Sequence, residues 1–148
     1  MSSLEITTLH QQAARTKARR ERLVTDWRDV VAAIHQEVIS ITDEFNTAPG
    51  YSGHQVSVHR CDRPDDLNVT TKADASLKWS LVVNGATRQF AVTCTTPKLK
   101  RTTGAPRFND ADNLVVDEVV DGQAATEMTP RAFVLHTLAP LLAAVAER

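Results

Sequence analysis

Glycine is scarce in this chain, five among 148 residues, and none stands in a G-x-G-x-x-G or G-x-x-x-x-G-K arrangement. A backbone cradle for nucleotide phosphates is therefore not expected. There is also no G-x-S-x-G elbow, no H-E-x-x-H and no C-x-x-C, so the common sequence marks of hydrolases, zinc proteases and redox pairs are missing. Aromatic residues make up 5%, few for a platform that stacks single-stranded bases. The two cysteines, Cys61 and Cys94, are far apart in a chain whose first twenty residues hold no apolar leader core. They read as reduced thiols in a cytoplasmic protein. No stretch approaches the ~18 uninterrupted apolar residues of a membrane span, so no membrane partner is expected.

Hydrophobic residues at 42% and charged residues at 24% are ordinary globular values, and 148 residues suit one domain with a single core. The net charge of -1 conceals an uneven distribution. Arg15, Lys17, Arg19, Arg20 and Arg22 stand against the single acid Glu21. Lys98, Lys100, Arg101 and Arg107 form a second basic group. Asp110, Asp112, Asp117, Glu118, Asp121 and Glu127 then follow with no base among them. Such alternation complements itself across a dimer or recruits charged partners.

Between Val24 and Phe45 the residues Val24, Trp27, Val31, Ile34, Val38, Ile41 and Phe45 are spaced alternately by three and four. This is a helical stripe, widened by Leu23 and Val30 and ended before the Pro49-Gly50 punctuation. Upstream the stripe fades while helix propensity stays high, so residues 1–22 read as a basic, projecting or frayed helical extension of a domain spanning 23–148. His54 to Cys61 alternates as a strand, Arg63-Pro64-Asp65-Asp66 forms a turn, and Leu67 to Lys72 suits a short second strand.

The strongest local signal is a hairpin over residues 77–94 with Asn84-Gly85 at its tip, since Asn-Gly accepts the positive φ of a type I′ turn. A two-residue loop sets Val83 opposite Ala86, Leu81 opposite Arg88 and Trp79 opposite Phe90. Their shared side, with Leu77, Val92 and Cys94, then faces the core, and Arg88 is an anomaly on it. Residues 97–113, with two prolines, one glycine and few bulky apolar side chains, read as a long loop. Leu114 to Val120 reads as a strand turned by Asp121-Gly122 into Gln123 to Met128. Thr129-Pro130 opens a closing helix with Val134, Leu135, Leu138, Leu141, Leu142 and Val145 on its apolar face and a kink at Pro140. The expected fold is α+β: a long N-terminal helix, an antiparallel sheet of five or six strands built from hairpins, and a C-terminal helix, both helices on one sheet face.

Chemistry-bearing clusters are thin. His59, Cys61 and Asp62 lie close together but lack the further ligands of a zinc site. Asp110 and Asp112, flanked by Asn109 and Asn113, lack the bidentate glutamate of a calcium loop. Ser52 and His54 with Asp62 or Asp65 are too dispersed to define a triad. No catalytic, cofactor or metal residue is assigned, and no cofactor is expected. The leading expectation is a noncatalytic protein-binding module of adaptor, secretion-chaperone or inhibitor type, its partner another protein or a second copy. Twenty-two helical residues at about 1.5 Å span about 33 Å against about 24 Å for five strands, which leaves apolar helix uncovered. The alternative is a nucleic-acid-associated protein whose contacts are Arg15, Lys17, Arg19, Arg20, Arg22, Lys98, Lys100, Arg101 and Arg107. A small enzyme of unspecified type near Asn109–Asn113 is a third.

Overall fold

In a computed structural model, which describes residues 2–148, the apolar stripe belongs to two nearly continuous helices, α1 (Ser3–Thr25) and α2 (Trp27–Thr47). They meet at Asp26, where φ -97° and ψ 16° interrupt helical geometry. The backbone ladder still crosses the joint, Asp26 N–H donating to Arg22 O at 2.8 Å and Val30 N–H to Asp26 O at 3.0 Å. The change of direction takes Val24 out of the stripe to the surface, whereas Val30, Val31, Ile34, Val38 and Ile41 are buried.

Seven strands follow among the described residues: β1 (Val56–Arg60), β2 (Leu67–Thr71), β3 (Lys78–Asn84), β4 (Gln89–Thr95), β5 (Leu99–Phe108), β6 (Leu114–Val120) and β7 (Gln123–Met128). Each pairs antiparallel with its sequence neighbours in one meander. The helix α3 (Pro130–Ala146) closes the chain, with Thr129 accepting from Ala132 N–H as N-cap, and runs uninterrupted through Pro140. Helices α2 and α3 cover one face of the sheet, and between them and the sheet lie Trp79, Leu81, Val83, Phe90, Val92, Phe133, Leu138 and Leu141. Phe133 replaces Leu135 on the buried face of α3, and Leu135 is exposed. The other face of the sheet carries Ser57, His59, Lys78, Val82, Ala91 and Arg101 at the surface.

Three details differ from the sequence reading, each for a physical reason. The expected loop 97–113 is largely β5. Its core-facing positions are Thr102, Gly104, Pro106 and Phe108, so burial there leaves little apolar signature. Phe133 presses on the strand at Gly104, where a Cβ would stand 2.5 Å from Phe133 Cζ. The hairpin of β3 and β4 has a four-residue tip, with Asn84 opposite Gln89, Val83 opposite Phe90 and Trp79 opposite Cys94. Asn84 does not take positive φ. Its side-chain carbonyl accepts instead from Ala86 N–H at 3.1 Å and Thr87 N–H at 3.2 Å, and Arg88 adopts the left-handed conformation at φ 51°. A slip of four residues, an even number, preserves which side faces inward, so the core assignment stands, and Arg88 leaves that face for the turn. By contrast Asp121-Gly122 is a two-residue turn with φ 53° and 78°, as its sequence predicts.

Candidate interaction surface

Helix α1 begins with a capping box: Ser2 Oγ accepts from Glu5 N–H at 3.2 Å, and Glu5 Oε2 accepts from Ser2 N–H at 2.9 Å. Every residue from Ser3 to Ala18 is exposed. The side-chain hydrogen bonds of residues 3–14 stay along α1 and its N-cap, reaching no further than Ser2 and Thr16 among the described residues. Leu4, Ile6 and Leu9 are 77%, 43% and 50% exposed. Their spacings of two and three residues form no regular stripe, which is why periodicity alone did not single them out.

The second half of α1 is seated by charge. Arg19 reaches the tip between β5 and β6, its Nε 3.3 Å from Asp112 Oδ1 and its Nη1 3.4 Å from Asp110 Oδ1, and Nη2 donates to Asp110 O at 3.2 Å. Arg22 donates to Asp112 O at 3.1 Å and holds its guanidinium 3.8 Å from the Phe108 ring centroid. The tip is fixed before it meets the helix, because Asn109 Oδ1 accepts from Ala111 and Asn113 N–H, both at 3.0 Å, and Asn109 N–H donates to Asn113 O. The alternation of basic and acidic runs is thus partly answered within the chain. A shallow cleft of about 440 Å³, lined by Arg15, Ala18, Arg19, Arg22, Asp110 and Asp112, marks the seat.

Arg107 borders a cleft of about 320 Å³ that Thr16, Arg19, Arg20 and Leu23 of α1 also line. It projects on the uncovered sheet face and donates through Nε to Asp117 Oδ2 at 2.6 Å and through Nη2 to Glu127 Oε1 at 3.2 Å. The hydrogen bond to Asp117 raises its pKa further above the ordinary arginine value. Lys98 just precedes β5 and Lys100 and Arg101 lie near its start, seven to ten residue steps from Phe108, or roughly 23–33 Å along an extended strand. The structure therefore does not unite them with Arg15–Arg22. Arg15 and Arg20 have no carboxylate within 4.0 Å among the described residues, and Lys17 has only Glu21 at 3.9 Å.

No group of three or more His, Cys, Asp or Glu converges as a metal site among the described residues. His59 Nε2 is 3.1 Å from Thr70 Oγ1, and Ser52, His54, Asp62 and Asp65 share no hydrogen bond with one another. Cys94 is buried, and burial pushes its thiol pKa up, away from the reactive thiolate. No helix of the described residues is long and apolar enough to cross a membrane. No family model, curated protein or solved structure matches this chain. What defines it is a seven-stranded meander backed by two helices, with a third helix leaving the body as an arm.

Proposed function

We propose that the chain is a noncatalytic protein-binding module whose contact element is the first half of α1, the partner being another protein or a second copy. One observation carries the reading: residues 3–14 are helical, yet Leu4, Ile6 and Leu9 are left exposed by the described residues. Helices this short are marginal in water, and tertiary burial of an apolar side supplies most helical stability in proteins. The arm gains that burial on a partner. Surplus helix length is confined to α1. Seven strands make the sheet about 34 Å wide, which matches the about 32 Å of the 21-residue α2.

The distance of Lys98, Lys100 and Arg101 from α1 and the pairing of Arg19, Arg22 and Arg107 with acids or carbonyls within the chain weigh against the nucleic-acid alternative. A photo-crosslinking residue placed at Glu5 or Thr8, which lie beside Leu4 and Leu9, in the native cell tests the proposal. Discrete protein adducts that vanish in an L4D/L9D background, with an unchanged thermal transition, are the expected result. Absence of adducts at both positions removes the reading.

A further inference from the structure

A cleft of about 490 Å³ separates the first turns of α2 from the end of β1, lined by Trp27, Arg28, Val31, Ala32, His35, Arg60, Pro64 and Asp65. Its volume is typical of small-molecule sites. We infer that it binds an organic anion, a carboxylate or phosphate carried on an apolar body. The alternation of β1 sets Arg60 on the same, helix-facing side as Val56 and Val58, at the exposed end of the strand where it borders the cleft. Arg28 approaches from α2. Neither guanidinium has a carboxylate within 4.0 Å among the described residues, in contrast to Arg19, Arg22, Arg63, Arg107, Arg131 and Arg148, which are all paired.

Across the cleft, His35 Nε2 donates to Asp65 O at 2.7 Å. The Asp65 carboxylate is the one acid of the lining, and it sits at the exposed rim. Val31, Ala32, Pro64 and the Trp27 ring, itself stacked 5.7 Å from Phe90, supply the apolar wall. Two free guanidiniums over such a wall match an anionic head on an apolar body, since the planar fork of arginine takes carboxylate or phosphate in a bidentate manner.

The intrinsic fluorescence of the full chain reads the site, because Trp27 lines the cleft and Trp79 is fully buried, leaving Trp79 as an unresponsive reference. Phenyl phosphate represents a free small molecule, a capped peptide with one glutamate between two apolar residues represents a protein segment, and benzylamine is the cationic control. A saturable change with either anion and none with benzylamine is expected, weakened at least tenfold in R28E and in R60E. The tighter of the two anions names the source. R60Q, with an unaltered far-UV spectrum, repeats the test should charge reversal perturb folding. No saturable change with either anion, an equal response to benzylamine, or undiminished binding in R28E and R60Q overturns the inference.

Discussion

At the scale of single residues, the molecule concentrates its constraints where the sequence looks least informative. Gly104 has an ordinary φ but sits under Phe133, so G104A forces a methyl into a ring edge and lowers stability by about 1–3 kcal/mol. Urea denaturation measures this, and F133L should recover part of the loss in the G104A background. Arg88 is the reverse case: a left-handed backbone and a buried Nε without a partner. R88G removes both penalties, and the urea midpoint should rise by the equivalent of about 1 kcal/mol. Asp74 gives a pH signature. The hydroxyl and N–H of Ser76 and the nearby Arg148 hold its carboxyl below the usual 3.8. A folded-state pKa below the unfolded one means that this stabilisation is present above the unfolded value and disappears as pH falls through the folded one. In an NMR titration, S76A should move the Asp74 midpoint back up toward 3.8.

At the scale of elements, legibility followed the amount of side chain that each element buries. The helix stripe from Trp27 to Ile41 and the alternation in β3 and β4 were readable because large apolar residues line their buried sides. Strand β5 was not, since Thr102, Gly104 and Pro106 bury without a hydrophobic pattern, and its partner is identified only once Phe133 is in place. The two hairpin tips show the same limit in turn chemistry. Asp-Gly specified its turn, whereas Asn-Gly was overruled because Asn84 caps the loop with its side chain. Of the candidate contacts, the basic run of α1 was evident in sequence, but its engagement by Asp110 and Asp112 depends on a pairing across some ninety positions that no local pattern encodes. That seat is made of exposed charges, so it is screened by salt. In D110N/D112N, amide exchange across residues 15–22 should accelerate, and the unfolding midpoint should move by less than about 1 kcal/mol.

At the scale of the whole molecule, the meander has a consequence for how the chain folds. Every strand pairs only with its neighbours in sequence, so sheet assembly needs no long loop closures and proceeds by short-range steps. The lid over that sheet is another matter. Phe133, Leu138 and Leu141 arrive on the last helix, after all seven strands, and Trp79 donates its indole N–H to Thr137 of that helix at 3.2 Å. During synthesis, the apolar side bearing Leu81 and Phe90 is left without α3 until the final stretch emerges. A chain stopped at Met128 should hold its strands together yet bind a hydrophobic dye and aggregate, and adding residues 129–148 as a separate peptide should suppress both. The docking of this seventeen-residue helix is thus the step at which a sticky, half-covered sheet face is closed.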